Sequence, residues 1–196
     1  MVRPTITLIT PTFGRTTIVD LATAVVPQLK SGDEFIIVGD GPVPLAEEVA
    51  RLIPGVVYMH TPSKMGDYGC TPWDFAIERA KGDFLWFIGD DDLPIEYAFE
   101  IIRKGVQKNL MLPHIFAMLH TGRILKRSHA ACHVSNQQFV VPRDMTKMPK
   151  YTDCPQKDIL ISDWFFIDQC VRLWGDVVYH DEIICVLEKQ NFGRPA

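Results

Sequence analysis

The stretch GDFLWFIGDDDLP, residues 82–94, decides the fold class of this chain. Its apolar, aromatic-rich run at residues 84–88 lies between Gly82 and Gly89, which is typical of a buried strand of an α/β sheet. Three consecutive aspartates follow directly at positions 90–92. Because ligands of such sheets bind at the carboxyl ends of the strands, the pattern predicts a carboxylate cluster at a binding edge.

The aspartate cluster predicts a bound cation. Like charges this close together repel and raise one another's pKa, so their clustering indicates a positive partner. A divalent ion that bridges carboxylates to a phosphate is the usual partner, which makes Asp90, Asp91 and Asp92 candidate ligands of Mn²⁺ or Mg²⁺. The alternative is an acidic turn that caps a helix expected over residues 95–107, and the two roles are compatible.

Size and composition indicate one soluble domain. The 196 residues suffice for one well-buried α/β domain and are few for two, so we expect a single domain over residues 1–196. The apolar fraction is 47% and no run approaches the roughly 20 apolar residues that span a bilayer, which predicts no transmembrane segment. The amino terminus lacks a signal-peptide pattern, so we expect a cytoplasmic protein. Five scattered cysteines without a C-x-x-C pair predict reduced packing residues.

The net charge of −4 conceals an uneven distribution. Residues 101–152 contain nine Lys or Arg and a single acid, Asp144. A block this one-sided predicts a surface for an anionic partner such as phosphate, nucleic acid or an acidic glycan, and an ordinary solvated face is the alternative.

Hydrophobic patterns predict strands that alternate with helices in the first half of the chain. We expect strands at 5–10, 35–38, 56–59 and 84–88, and helices at 14–28, 45–53 and 73–80. This alternation indicates βαβ units and a largely parallel sheet. Beyond residue 110 we expect strands at 115–119, 139–141 and 183–187, a helix at 159–174, and a mobile loop rather than core at 142–155.

Four segments together resemble glycosyltransferase family 2. They are PTFGR at 11–15, GDG at 39–41, AKGD at 80–83 and the aspartate triplet. The resemblance covers about residues 4–94. It implies the Rossmann-like GT-A fold, in which helices flank a mixed, mainly parallel sheet. It also implies a nucleotide-sugar-binding half over about residues 1–94 and an acceptor-binding half over about 95–196.

The resemblance implies particular roles for matching residues. It places the nucleotide sugar against Pro11, Thr12, Arg15, Asp40 and Asp90, and the metal of a D-x-D motif on the diphosphate. The donor it implies is a nucleotide-diphosphate sugar, most often a UDP-sugar. A metal and nearby cations make chemical sense there, because the leaving nucleoside diphosphate develops charge that must be stabilised.

Two positions depart from the family pattern. Gly89 stands where the family usually has an aspartate, so Asp90 with Asp92 and Asp91 with Asp92 both remain open as the metal-binding pair. Residues 73–74, Trp-Asp, stand where an Arg-Asn pair is frequent, which leaves the identity of the donor open.

An inverting member of this family needs a general base. The segment 162–166, SDWFF, resembles the late-helix motif that supplies it, which makes Asp163 the candidate. Aromatic neighbours would desolvate the carboxyl and raise its pKa toward a useful value. A first-turn acid that stabilises its helix is the alternative. Other acids in this part of the chain are weaker rivals: 153, 158, 168 and 181.

The histidines carry weaker signals. His129 and His133 are four residues apart with Cys132 between them, a spacing that suits zinc on a helix, but no further ligand is nearby in sequence. His180 is either a late ligand near the metal or a structural residue at a strand end.

The resulting prediction is a glycosyltransferase that uses Mn²⁺ or Mg²⁺ and moves a sugar from a nucleotide-diphosphate sugar to a hydroxyl, with inversion through Asp163. The basic block suggests an anionic acceptor, nucleic acid being one candidate. The alternatives are a nucleotidyltransferase of related fold and a non-catalytic module that binds sugar nucleotides or polyanions.

Overall fold

The structure is a computed structural model that describes residues 3–131, 133–155 and 159–187. Its elements, in chain order, are nine strands and five α-helices among those residues. The strands are β1 (Ile6–Thr12), β2 (Glu34–Gly39), β3 (Val56–His60), β4 (Phe84–Phe87), β5 (Leu93–Pro94), β6 (His114–His120), β7 (Arg123–Leu125), β8 (Phe139–Pro142) and β9 (Val178–Leu187). The helices are α1 (Thr17–Val25), α2 (Pro44–Leu52), α3 (Cys70–Ile77), α4 (Ala98–Val106) and α5 (Ile159–Trp174), with short 3₁₀ turns at Val26–Gln28, Asn136–Gln138 and Tyr151–Asp153.

All the strands form one mixed sheet. Its order is β3-β2-β1-β4-β8-β6-β9-β5, and β7 pairs with β6. The first four positions are parallel, as the βαβ pattern predicts, and β6 and β9 are also parallel. Strand β8 lies antiparallel between β4 and β6, which makes the sheet mixed. The predicted mainly parallel α/β architecture is confirmed.

Alternate residues of β4 belong to opposite layers of the core. Phe84 and Trp86 lie in the core cluster that includes residues of α1, α2 and α4. Leu85 and Phe87 lie in the cluster that includes residues of α3 and α5. A strand covered on both faces must be apolar at every position, which explains the continuous run in the sequence. Each such side chain contributes roughly 1.5–3 kcal/mol by burial.

The segment 142–155 differs from its prediction as a mobile loop. It begins within β8 and ends in the 3₁₀ turn Tyr151–Asp153. Tyr151 is fully buried and stacks on Phe166 of α5, and Cys154 is nearly fully buried as well. The end of this segment is therefore core. Between β8 and this turn, residues 143–150 belong to no helix or strand.

The four described cysteines are free and buried: Cys70, Cys154, Cys170 and Cys185. They occupy packing positions, as predicted, while Cys132 lies outside the described residues. Across those residues, no helix combines the length and apolarity needed to cross a bilayer. Residence in the cytoplasm stays a prediction.

Candidate active site

A cleft of about 570 Å³ opens at the carboxyl ends of β1 and β4. The two strands are parallel neighbours, so the residues that follow them meet at one edge of the sheet. Most of the predicted site residues lie here. The lining residues include Pro11, Phe13, Arg15, Tyr68, Trp73, the three aspartates, Asn136, Gln137 and Asp163.

Asp90 follows β4 and contacts the residues at the end of β1. Its buried carboxylate accepts a hydrogen bond from the Thr12 hydroxyl at 2.6 Å and another from Arg15 Nη1 at 2.7 Å. Burial raises the pKa of Asp90, and the bonds from Thr12 and Arg15 oppose that rise. The structure therefore brings together three residues that the sequence predicted to share one site.

Arg15 also lies 3.3 Å from Asp91 Oδ2, so one guanidinium faces two carboxylates. Its side chain is 44% exposed at the mouth of the cleft. The pairing reduces the repulsion within the aspartate cluster. It also places a permanent cation where the charge of a diphosphate could be met.

Asp92 is as deeply buried as Asp90, each being 2% exposed. Its Oδ2 accepts a hydrogen bond from Gln137 Nε2, and its buried Oδ1 has no hydrogen-bond partner among the described residues. Burial raises the pKa of Asp92 to about 7, and the nearby charges of Asp91 and Asp90 add to the rise. A buried acceptor without a donor is costly in a folded protein, and a cation would satisfy it.

The space around Gly89 accounts for one departure from the family pattern. A Cβ at position 89 would lie 2.8 Å from Asp92 Oδ2 and 2.9 Å from Asp91 Oδ1. The glycine therefore gives both carboxylates room to approach the end of β4. Even so, in the described part of the chain no three acidic, histidine or cysteine side chains are arranged to hold a metal ion together.

Asp40 lies at the end of β2 and is 5% exposed. Its Oδ1 accepts the backbone N–H of Met65 at 2.7 Å and its Oδ2 that of Gly66 at 2.8 Å. In this structure the carboxylate therefore holds the loop that forms one wall of the cleft. Its predicted contact with the base or ribose stays a prediction.

Of the residues at 73–74, Trp73 lines the cleft, whereas Asp74 holds a neighbouring turn. The Trp73 ring stacks on Tyr151 with centroids 5.7 Å apart. Asp74 accepts hydrogen bonds from the backbone N–H groups of Tyr151 at 2.8 Å and Thr152 at 3.1 Å. Asp74 thus caps the 3₁₀ turn, and both of its carboxylate oxygens accept hydrogen bonds from the turn.

Asp163 lies in the early part of α5 and faces the same cleft. Asn136 donates to it twice, from Nδ2 to Oδ1 at 2.6 Å and from the backbone N–H to Oδ2 at 3.3 Å. Burial raises the pKa of Asp163 to about 7, the backbone bond from Asn136 opposes the rise, and the charge of Asp92 adds to it. Of its rivals, Asp168 pairs with Arg172 and Asp181 with Lys126 and Arg127. Position 158 lies outside the described residues.

Sequence reasoning missed Asn136, Gln137 and Tyr151. The only signal was the pattern Ser135-x-x-Gln138, a capping box that indicates a turn and no chemistry. Their role arises from contacts between segments far apart in sequence.

No described histidine is among the residues that line the cleft. His180 stacks on Phe116 at 4.1 Å and bonds to His114, which favours the structural reading. His129 bonds to the Tyr179 hydroxyl. Cys132, the residue between the two candidate zinc ligands, lies outside the described residues.

The sequence matches the family model of Glycosyl transferase family 2 over residues 7–154, which is well over half of the chain. This chain belongs to glycosyltransferase family 2. No curated protein matches it. The matched range includes the aspartate triplet and the Asn136 turn, whereas Asp163 follows it.

Solved structures give the same fold for this family 2 member. TarS 1–349 of S. aureus in complex with UDP-GlcNAc has a TM-score of 0.70 at 13% identity, over 95% of this chain and 59% of that one. The mannosyltransferase PcManGT from Pyrobaculum calidifontis in complex with GDP-Man and Mn²⁺ has a TM-score of 0.74 at 11% identity, over 98% and 59%. At these identities the likeness establishes the fold alone, and the predicted GT-A fold is confirmed. The present chain spans about three fifths of the length of both.

Five of the nine cations in the basic block of this family 2 member form ion pairs with described acidic residues. Arg103 is buried and pairs with Asp33, so it adds nothing to a surface. Lys126 and Arg127 both pair with the exposed Asp181. The anionic acceptor that the block suggested stays a prediction.

Proposed function

We propose that this domain transfers a sugar from a nucleotide-diphosphate sugar to a hydroxyl group, with inversion at the anomeric carbon. The observation that carries the proposal is the placement of two carboxylates, Asp92 and Asp163, on one cleft. They lie close enough for the charge of Asp92 to raise the pKa of Asp163. Two interacting acids with different hydrogen-bond partners can take different roles, one at the donor and the other at the acceptor.

The donor would bind at the aspartate triplet and at the end of β1. Pro11, Thr12 and Arg15 line or support the floor of the cleft, and Asp40 holds its wall through the loop at 65–66. Two of the structural neighbours were solved with UDP-GlcNAc and with GDP-Man, which supports a nucleotide-sugar donor. We expect a UDP-sugar, as the resemblance implied.

The residues present fit a divalent metal. Carboxylate oxygens are the ligands that Mg²⁺ and Mn²⁺ prefer, and Asp92 Oδ1 is a buried oxygen without a donor among the described residues. Asp92 with Asp90 or Asp91 would hold the ion. When bound, it would supply positive charge to the departing diphosphate. Arg15, which already faces two of these carboxylates, would add a second positive charge.

The acceptor would bind at Asp163 and the second half of the chain, about residues 95–196. Asp163 takes the proton of the acceptor hydroxyl while the oxygen of that hydroxyl attacks the anomeric carbon. The bond from that carbon to the diphosphate breaks, and the nucleoside diphosphate leaves with the electron pair. A pKa of about 7 suits a base that works near neutral pH.

Ligand binding tests the donor assignment. We expect UDP-GlcNAc or GDP-mannose to raise the melting temperature more in Mn²⁺ than without it, because a ligand of the native state stabilises it. Asp92→Asn should remove the Mn²⁺-dependent part of the shift. A protein that neither binds these donors nor releases UDP or GDP from them would be the non-catalytic module instead.

Donor hydrolysis tests the base, with water in place of the acceptor. Asp163→Asn should lower the rate of UDP or GDP release by about 10²–10⁴-fold and leave the thermal shift intact. Asp168→Asn is the matched control, since Asp168 lies on the same helix and pairs with Arg172. Normal release by Asp163→Asn would remove Asp163 from this role.

A further inference from the structure

Asn136 donates to one carboxylate from both its side-chain amide and its backbone N–H. Its Nδ2 bonds to Asp163 Oδ1 at 2.6 Å and its backbone N–H to Oδ2 at 3.3 Å. The residue is only 2% exposed, so water competes weakly for these donors. Two bonds from one rigid turn fix the plane of the carboxylate as well as its position.

The Tyr151 hydroxyl holds the end of the Asn136 amide that faces away from Asp163. It donates to Asn136 Oδ1 at 2.8 Å. An ionised carboxylate can only accept, so the NH₂ end of the amide faces Asp163 and the carbonyl oxygen is left to accept from Tyr151. Because Tyr151 is fully buried, no solvent molecule can take over this bond without rearrangement of the core.

Tyr151 is itself held from two sides. Its ring stacks on Phe166 with centroids 3.9 Å apart and planes 8° from parallel. Phe166 follows Asp163 by three residues on α5, so the ring rests on the helix that carries the carboxylate. The backbone N–H of Tyr151 donates to Asp74 on α3 at 2.8 Å. The contacts form a closed loop through the two 3₁₀ turns and α5, and α3 is attached to this loop at Tyr151.

We propose that Asn136 is a positioning residue for Asp163, and that the Tyr151 hydroxyl acts on Asp163 through it. The inference rests on the proposed role of Asp163 as the base. A base must be held within about 0.5 Å of its working position, and a misplacement of about 1 Å can cost 10²-fold in rate. Asn136 supplies that restraint through its two bonds to the Asp163 carboxylate.

The expected effects differ between two variants. Asn136→Leu removes the side-chain bond and should lower the rate of donor hydrolysis by about 10–100-fold. Tyr151→Phe is the milder change, since it removes one hydroxyl and keeps the aromatic stack, and should lower the rate by about 3–10-fold. In both, the KM for the donor should stay unchanged, because the donor side of the cleft is intact.

The test measures UDP release from UDP-GlcNAc and GDP release from GDP-mannose in Mn²⁺. If the Tyr151 hydroxyl acts through Asn136, the variant that combines Asn136→Leu with Tyr151→Phe should be no slower than Asn136→Leu alone. Tyr179→Phe is the matched control, because its hydroxyl bonds to His129 outside the cleft, and it should retain the wild-type rate. Independent, multiplicative effects of the two variants would overturn the proposed route.

Crystal structures of the variants give a readout that needs no turnover. The Asp163 carboxylate should move by more than about 0.5 Å in Asn136→Leu, and an unmoved carboxylate would overturn the inference. Asp163→Asn separates the two levels of the argument. If that variant is inactive while Asn136→Leu is fully active, the positioning inference alone fails. If Asp163→Asn is active, the proposed base fails.

Discussion

Gly89 shows how one residue shapes the chemistry of its neighbours. A Cβ at this position would lie 2.8 Å from Asp92 Oδ2 and 2.9 Å from Asp91 Oδ1, so any side chain there would require a carboxylate to shift. A small residue at the end of β4 therefore lets two like charges gather at one point. The cost of that repulsion is partly offset by Arg15.

Gly89→Ala should weaken the site while leaving the fold intact. The new methyl group would push at least one carboxylate away, because both contact distances are below those that real Cβ atoms show. We expect the apparent affinity for Mn²⁺ in the presence of UDP to fall by about 10–100-fold, as for changes around other metal ligands. Thermal shifts over a Mn²⁺ titration would measure it. Unchanged Mn²⁺ dependence would show that the carboxylates can move aside freely.

Asp92 should reduce the stability of the protein at neutral and higher pH. Its pKa in the folded state is about 7 against an ordinary value of 3.8, with burial as the main cause. A raised pKa means that the folded state gains stability as the pH falls through 7 and loses it as the pH rises. Asp92→Asn should therefore stabilise the protein by about 1–3 kcal/mol near pH 8, with the gain disappearing below about pH 4.

Urea denaturation at the two pH values would measure this difference. Asp181→Asn is the control, since Arg127 holds the pKa of that exposed carboxyl below its usual value and its removal should bring no gain. A less stable Asp92→Asn protein near pH 8 would contradict the assignment of a buried, poorly partnered carboxylate.

At the scale of elements, the 3₁₀ turn Tyr151–Asp153 connects the two halves of the chain. Asp74 of α3 caps the turn, and Tyr151 reaches from it to Phe166 of α5. The turn is short and has no strong sequence signal of its own. Its position depends on the cap and on the aromatic contacts.

Asp74→Ala should destabilise the protein by about 1–3 kcal/mol, because it leaves the buried backbone N–H groups of the turn without an acceptor. Asp74→Asn keeps one acceptor oxygen and should lose less. Chemical denaturation of both variants would measure the difference. Equal stability of all three proteins would show that the turn is held by its aromatic contacts alone.

At the scale of the whole molecule, two groups of titrating residues oppose each other. Burial raises the pKa of Asp92 and Asp163 to about 7, and burial lowers the pKa of His114 and His180 to about 4. Acidification below neutral pH therefore favours the folded state through the carboxyls and disfavours it through the histidines. The two trends overlap between about pH 4 and 6.5, where they compensate.

His180→Phe should expose this compensation. The histidine pKa is lowered in the folded state, so its contribution is present above pH 6.5, the ordinary value, and is lost as the pH falls toward 4. A phenylalanine can keep the stack on Phe116 and removes one titrating group. Between about pH 4 and 6.5, lowering the pH should reduce the free energy of unfolding by about 1.4 kcal/mol per pH unit less in His180→Phe than in the wild type. Denaturation at several pH values would measure the slope, and a slope equal to that of the wild type would refute the idea.

The sequence by itself determined the parallel half of the fold and the donor edge of the site. The strand at 84–88, the residues at 11–15 and the triplet at 90–92 are local patterns, in which the period of the side chains and their order along the chain carry the information. The carboxyl ends of adjacent parallel strands meet by geometry, so the meeting of Thr12, Arg15 and Asp90 could be predicted.

Only the tertiary structure decided what surrounds Asp163 and which acids are buried. The bonds from Asn136 to Asp163, from Tyr151 to Asn136 and from Gln137 to Asp92 join residues 15–45 positions apart. No local propensity records such pairs, because they depend on how β8, the 3₁₀ turns and α5 pack. Burial, which raises the pKa of the two carboxyls that we propose for donor and acceptor, is likewise a property of the packed molecule.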